Sequence, residues 1–181
     1  LLDPAMSWND VTTLRRRWSG PLVLKGVLHP DEASRAVEAG VDAIIVSNHG
    51  GRQLDGAVAS LKALPGVVDR VAGRIPVLMD GGIRRGSDVV KALALGARCC
   101  LIGRPALWGL AVAGEDGVGH VLDILRREID RVMGLLGVRS IDQIGPHLLV
   151  RANAADPFML DGLPTVRSTR ADSSVPGARP S

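Results

Sequence analysis

Residues 76–96 read PVLMDGGIRRGSDVVKALALG, and this stretch decides the fold class. It begins with an apolar run at 76–79, continues into a glycine-rich polar loop, and ends with apolar residues at helical spacing. A continuous apolar run is typical of a strand buried on both faces, as in parallel sheets. Ser87 and Asp88 favour a helix start, and Gly96 favours a helix end. The stretch therefore predicts one unit of strand, loop and helix.

The same unit recurs along the chain. Apolar runs at 21–24, 43–46 and 99–102 predict three more strands, each buried on both faces. Helical patterns lie between or after them, from 30 to 40 and from 118 to 136. The intervals between the strands leave room for the crossover connections that parallel strands need. Alternating strands and helices predict an α/β fold.

The composition is that of an ordinary globular domain with an aliphatic core. The chain has 181 residues, of which 46% are hydrophobic and 23% charged. It contains three Trp, one Phe and no Tyr, so no chemistry that needs a phenol can come from it. The net charge is +3, but the basic residues are scattered apart from the run Arg15, Arg16, Arg17. We therefore expect no nucleic-acid partner.

The cysteines and the hydropathy pattern bear on location. Cys99 and Cys100 are adjacent, which fits neither a disulfide framework nor a metal-ligand pattern. We therefore expect no metal site and a reducing compartment. No apolar run approaches the roughly 20 residues of a membrane span. These observations predict a cytoplasmic protein.

Each predicted strand is followed by polar or glycine-containing residues, which lie at 25–26, 47–52, 80–85 and 103–104. In parallel α/β proteins the carboxyl ends of the strands carry the active site. These four groups are therefore the candidate site.

The groups at 80–85 and 103–104 predict an anion site. Paired glycines let the backbone approach a ligand closely, and we expect the helix starting near Ser87 to offer free N–H donors. Arg84 and Arg104 suit an anion such as phosphate. The alternative is a tight turn followed by a helix cap. An arginine in both groups, on successive strands, favours the anion site.

The group at 47–52 combines a base with a fixed cation. His49 supplies a neutral base and Arg52 a guanidinium that suits a carboxylate, both on one short loop. The alternative is a structural hydrogen bond for His49 and a solvated position for Arg52. Lys25 ends an apolar run, so we expect its ammonium to point into the cleft. A salt bridge is the alternative role for Lys25.

Taken together, the motifs resemble one family. Leu-Lys-Gly stands at 24–26, Ser-Asn-His-Gly-Gly-Arg-Gln-Leu-Asp at 47–55 and Asp-Gly-Gly-Ile-Arg-Arg-Gly at 80–86, with Ile-Gly-Arg-Pro at 102–105. The stretch from about 7 to 144 resembles the FMN-dependent 2-hydroxy-acid oxidases and dehydrogenases. These include enzymes of the glycolate, lactate and mandelate type.

The resemblance implies FMN as cofactor and electron acceptor, and a 2-hydroxy acid as the substrate that is oxidised to a 2-oxo acid. It implies that His49 is the base and that Arg52 binds the substrate carboxylate. Lys25 would lie at the N1 and C2 carbonyl edge of the flavin, and Ser47 would also touch the cofactor. The ribityl chain and phosphate would be held by Asp80, Gly81, Gly82, Ile83 and Arg84, with Gly103 and Arg104 completing the phosphate site.

The resemblance also implies a fold, the (β/α)8 TIM barrel, of which this chain would supply strands 5–8. Residues 1–150 would be the C-terminal half of the FMN-binding barrel, and 151–181 a flexible tail. We expect an N-terminal half-barrel as partner, a homo-oligomer such as a tetramer, and membrane contact only through a loop that this sequence lacks. The alternatives are another phosphate- or FMN-binding TIM-barrel enzyme, such as a relative of inosine monophosphate dehydrogenase, and a non-catalytic half-barrel that serves as an assembly partner.

Overall fold

The computed structural model describes residues 5–150 and, beyond them, the backbone of 152–153 and 156–160. The chain divides into two units, Leu1–Leu149 and Val150–Ser181. The helices of the first unit are α1 (Trp8–Arg17), α2 (Pro30–Glu38), α3 (Ser60–Val71), α4 (Gly86–Ala94) and α5 (Arg104–Leu136). Its strands are β1 (Val23–Val27), β2 (Ala43–Val46), β3 (Val77–Met79) and β4 (Cys99–Cys100). Short 3-10 turns span His49–Gly51, Ile141–Gln143 and Pro146–Leu148.

The four strands form one parallel sheet in the order β1-β2-β3-β4. The predicted alternation of strands and helices and the α/β class are therefore confirmed. Pairing aligns Leu24 with Ile44, Ile44 with Val77, and Met79 with Cys100. This register brings the carboxyl ends of all four strands to one edge of the sheet.

One face of the sheet packs against the helices and forms the core. The register places Ile44, Val46 and Met79 on this face, where each is at most 1% exposed. Leu64 and Val67 of α3 are fully buried against them. Burial of such aliphatic side chains is the main stabilising contribution in a core of this kind.

The opposite face carries Val23, Lys25, Ile45, Leu78 and Cys99, and we call it the open face. Val23 is 44% exposed, and Cys99 is also exposed. The prediction that every strand is buried on both faces is confirmed for β2 and wrong for β1 and β4. The physical reason is that β1 and β4 are the edge strands, and no described residue covers their side of the open face.

The helices agree with the sequence patterns in part. Helices α2 and α4 occupy the predicted positions, and Gly40 and Gly96 follow them with positive φ, as helix-ending glycines do. Helix α5 is longer than predicted, because a first segment from Arg104 joins it across a kink at Ala113 and Gly114. Helices α1 and α3 were not predicted: α3 contains Pro65 and has no side-chain cap.

Helix α4 contacts α5 through a glycine. Gly86 opens α4, and its N–H donates to Glu128 Oε2 at 2.7 Å. A Cβ at Gly86 would lie 2.6 Å from the backbone carbon of Glu128 and would also meet the backbone N of Ile129. Because these neighbours are backbone atoms, they cannot move aside cheaply. Arg85 adds an ion pair with Glu128 at 3.2 Å.

Two further features are the hydropathy of the helices and the segment after residue 150. Among the described residues, no helix is long and apolar enough to cross a bilayer. The predicted flexible tail, 151–181, falls mostly outside the described residues. Where its backbone is described, β5 (Ala152–Asn153) and β6 (Asp156–Leu160) pair as an antiparallel ribbon.

We expect Gly86→Ala to destabilise the protein by about 1–3 kcal/mol, because the added methyl forces α4 away from α5. Gly119→Ala is the matched control, since Gly119 lies in α5 and no atom comes within 4 Å of its added Cβ. The control is expected to be neutral or up to about 1 kcal/mol more stable, because alanine favours helix. Denaturant unfolding of both variants measures the difference, and equal stabilities would contradict the packing described.

Candidate functional site

A cleft of about 560 Å³ opens at the carboxyl ends of the four strands. Its lining includes most of the residues that the sequence predicted for the site, namely Lys25, His49, Arg52, Asp80, Gly81, Gly82, Arg84, Gly103 and Arg104. The four polar groups, which are far apart in the sequence, therefore surround one cavity.

Two of the predicted site residues do not line the cleft. Ser47 is fully buried, and it reaches the site only through its hydrogen bonds. Ile83 is 2% exposed and belongs to the hydrophobic core, so its side chain packs in the core and does not contact the cleft. Lys25 lies within β1 and not at its end, and the register shifts between Lys25 and Val27.

Lys25 joins three strands at the base of the cleft. Its Nζ lies 2.9 Å from Asp80 Oδ2, donates to Ser47 Oγ at 3.0 Å, and lies 3.5 Å from His49 Nδ1. The Lys25 side chain is 39% exposed and that of Asp80 19%. Both roles considered for Lys25 thus occur together, because the ammonium forms a salt bridge and also faces the cleft.

Short hydrogen bonds hold the loop that carries His49. Ser47 Oγ accepts from the His49 N–H at 3.0 Å, and Asn48 Oδ1 accepts from the Gly50 N–H at 3.0 Å. His49 itself has φ of +54°, an uncommon value for a residue with a side chain. A Cβ at Gly26 would lie 2.9 Å from His49 Nε2, so the imidazole packs directly on that glycine.

Arg52 follows this loop and faces the cleft. The residue is exposed, and among the described residues no carboxylate pairs with it. Asp80 is the one acidic residue in the lining, whereas Lys25, Arg84 and Arg104 add further cations. A ligand that carries negative charge is therefore favoured in this cleft.

Three N–H groups at the start of α4, where we expected free donors near Ser87, already have carboxylate acceptors. The N–H groups of Arg84 and Arg85 donate to Asp88 Oδ2 at 3.0 and 2.9 Å, and Glu128 accepts from Gly86. The start of α4 is therefore already capped by carboxylates. Further candidate donors lie earlier in the same loop, directly after β3, and at Gly103, which precedes α5. Within the described residues, no acceptor meets the N–H groups of Gly81, Gly82 and Gly103.

Both predicted anion-binding arginines are held in place at the cleft. The guanidinium of Arg84 lies 5.2 Å from the centre of the Trp108 ring and donates to the Ile83 carbonyl at 2.8 Å. Arg104, the first residue of α5, donates through Nη2 to the Gly50 carbonyl at 3.2 Å. A cation on an aromatic face is stabilised by the ring quadrupole. These contacts orient the arginines without neutralising their charge.

One carboxylate oxygen of Asp80 has no partner. Asp80 Oδ1 is buried, and none of the described residues donates to it, while Oδ2 pairs with Lys25. A buried acceptor without a donor costs roughly 1–3 kcal/mol, so it indicates a missing partner such as a ligand hydroxyl. Beside it, a Cβ on Gly82 or Gly103 would meet no atom within 4 Å. The site therefore fits a phosphate ester that carries hydroxyl groups.

Several site residues were not predicted from the sequence. Gln53, Leu101, Ile102 and Leu107 also line the cleft. The neighbourhood of Arg52 could have indicated Gln53. Leu101 and Ile102 follow β4 directly, and Leu107 lies in the first turn of α5. Trp108 had no sequence signal, because its contact with Arg84 joins helix α5 to the loop after β3.

Comparison with known proteins gives matches over most of the chain. A family model described as FMN-dependent dehydrogenase matches residues 1–151. L-lactate oxidase of Nostoc sp. is 55% identical over 148 residues, which cover 82% of this chain and 40% of that protein. The mouse 2-hydroxyacid oxidase 1 is 51% identical over 152 residues, which cover 84% of this chain and 41% of that protein. Pre-mycofactocin synthase of Mycolicibacterium smegmatis is 56% identical over 144 residues, covering 80% and 36%.

Among solved structures, mandelate oxidase with benzoyl-formic acid superposes with a TM-score of 0.73 at 50% identity. The match covers 76% of this chain and 41% of the mandelate oxidase chain. The chain thus spans about two-fifths of the length of the first two curated relatives.

Proposed function

Because the chain belongs to the family of FMN-dependent dehydrogenases, we propose that it carries the FMN-binding and proton-accepting residues of an enzyme that oxidises a 2-hydroxy acid to a 2-oxo acid. The strongest support comes from one observation. A single cleft is lined both by His49, Lys25 and Asp80 and by the two arginines, Arg84 and Arg104. The relatives named L-lactate oxidase and 2-hydroxyacid oxidase 1 support the substrate class.

The cleft has groups that suit each polar part of FMN. Arg84 and Arg104, with the N–H groups of Gly82 and Gly103, would hold the phosphate. The unpartnered Asp80 Oδ1 would accept a hydrogen bond from a ribityl hydroxyl. Lys25, fixed by Ser47, would lie against the carbonyl edge of the flavin. When bound, FMN supplies the two-electron acceptor that this oxidation requires.

The substrate would lie between His49 and Arg52. The exposed guanidinium of Arg52 would form a bidentate pair with the substrate carboxylate, which would fix the position of the hydroxyl-bearing carbon. Oxidation to the 2-oxo acid removes two electrons and two protons. We propose that the His49 imidazole takes one of these protons, because it lines the cleft together with Arg52 and its loop is held by hydrogen bonds.

We also propose that a second segment of β/α structure completes the barrel. The strand order shows no reversal, whereas doubly wound sheets reverse at a switch point. The open face exposes Val23 and Cys99, and parallel sheets are normally covered on both faces. An apolar cavity of about 600 Å³ also runs beside Cys99 and Cys100, along edge strand β4. These features favour strands 5–8 of an eight-stranded barrel over an open, doubly wound sheet.

For His49→Gln, we expect the FMN-loaded enzyme to keep its flavin while reduction of that flavin by a 2-hydroxy acid slows by about 10²-fold or more, because the base is lost. Anaerobic stopped-flow absorbance measures the rate. His120→Gln is the matched control, since His120 is exposed on α5 away from the cleft. A rate unchanged in His49→Gln would remove His49 from this role.

For Arg104→Ala, we expect FMN to bind about 10- to 100-fold more weakly, which is the loss of one charged hydrogen bond worth about 1.5–3 kcal/mol. Fluorescence titration of the flavin-free protein measures the dissociation constant. Arg127→Ala, at an exposed position of α5, is the control. Equal affinities in the two variants would contradict the phosphate assignment.

The two cysteines test the barrel. Burial and the neighbouring Cys99 raise the pKa of Cys100 to about 11, so at pH 8 we expect iodoacetamide to modify Cys99, which is exposed, far faster than Cys100. Cys100 should react only as the pH rises toward that pKa. Adding an N-terminal half-barrel of the family should protect Cys99, as peptide mass mapping would show. An equally reactive Cys99 with and without that half would contradict barrel completion.

A further inference from the structure

Ser60 stands outside every motif and does not line the cleft, yet its burial is unusual. Among the described residues, Ser47 and Ser60 are the two buried polar side chains, at 0% and 2% exposure. A buried hydroxyl costs free energy unless it makes a hydrogen bond. Ser60 opens α3, and its Oγ accepts from the Asn48 N–H at 3.1 Å. Both buried serines therefore bind the same loop.

This bond completes a series along the loop. Three successive N–H groups, those of Asn48, His49 and Gly50, donate to the side chains of Ser60, Ser47 and Asn48 respectively. These bonds hold His49 at its positive φ, a conformation that persists only when its surroundings fix it. Of the three acceptors, only Ser60 lies outside the loop, twelve positions after Asn48.

Ser60 also touches the neighbouring loop. A Cβ at Gly81 would lie 3.0 Å from Ser60 Oγ and 2.9 Å from Asn48 Oδ1. The loop of His49 and the loop that follows β3 are therefore packed against the same hydroxyl. Any change at Ser60 acts where these two loops meet.

We propose that Ser60 is a positioning residue, which sets the place of the His49 imidazole against the loop of Asp80 through the backbone of Asn48. The inference rests on the proposed role of His49 as base. Ser60 reaches neither substrate nor cofactor, so its effect should fall on the rate of the chemical step and not on the binding of FMN or substrate. Misplacement of a reacting group by about 1 Å costs on the order of 10²-fold in rate.

The test compares Ser60→Ala with Ser60→Thr, which keeps the hydroxyl, and with Ser87→Ala. Ser87 lies near the start of α4, and its side chain makes no hydrogen bond to any residue that the structure describes. In the FMN-free protein, amide hydrogen exchange across 47–52 should be at least about 10-fold faster in Ser60→Ala and unchanged in the other two. In the FMN-loaded Ser60→Ala variant, the substrate should reduce the flavin about 10- to 100-fold more slowly than in the unchanged protein. KM and the affinity for FMN should stay within about threefold of the unchanged protein's values.

Unchanged exchange across 47–52 in Ser60→Ala would overturn the inference, as would faster exchange spread evenly over β2 and α3, which indicates general loosening. Failure of Ser60→Thr to restore the rate would also overturn it. If Ser60→Ala does not fold, Ser60→Cys, with similar volume and a weaker acceptor, is judged by the same results. If flavin reduction is slow in His49→Gln but normal in Ser60→Ala, only this inference is rejected. If flavin reduction is normal in His49→Gln, the proposed function is rejected.

Discussion

The ion pair between Lys25 and Asp80 is the interaction on which the site depends. It joins β1 to the loop after β3 at 2.9 Å, and the same ammonium reaches Ser47 at the end of β2. Because Asp80 is the one acid in the cleft lining, Lys25 is its natural partner and leaves Oδ1 for a ligand. Removal of either partner would leave the other charge in a partly desolvated cleft, where an unpaired charge is costly.

Parallel strand order explains why one cleft collects residues that are far apart in the sequence. Each strand ends at the same edge, so the four segments that follow the strands meet there, and their glycines allow close approach of the backbone. Contacts between the loops then fix their relative positions. Arg104 holds the Gly50 carbonyl, and Ser60 lies between the loops of Asn48 and Gly81. The site is thus built from contacts between loops and not from any single motif.

Much of this could be predicted from the sequence, because apolar runs mark buried strands and polar residues after them mark the active edge. Features that depend on distant residues could not. Glu128, 42 positions away, accepts from the Gly86 N–H at the start of α4, and no local pattern could indicate that contact. Helix α3 was not predicted because Pro65 lies inside it, so Ser60 could not be recognised as the first residue of a helix. The exposure of the β1 and β4 side chains on the open face could not be predicted either, because it depends on what packs against the sheet.

We propose above that this cleft serves the FMN-dependent oxidation of a 2-hydroxy acid. The most direct test of this proposal is anaerobic mixing of the FMN-loaded protein, with both barrel halves present, with L-lactate, glycolate and (S)-mandelate in turn. We expect at least one of them to bleach the flavin absorbance and to yield one equivalent of the matching 2-oxo acid per flavin. Flavin that binds but stays oxidised with all three acids, or a protein that binds no FMN, would contradict the proposal.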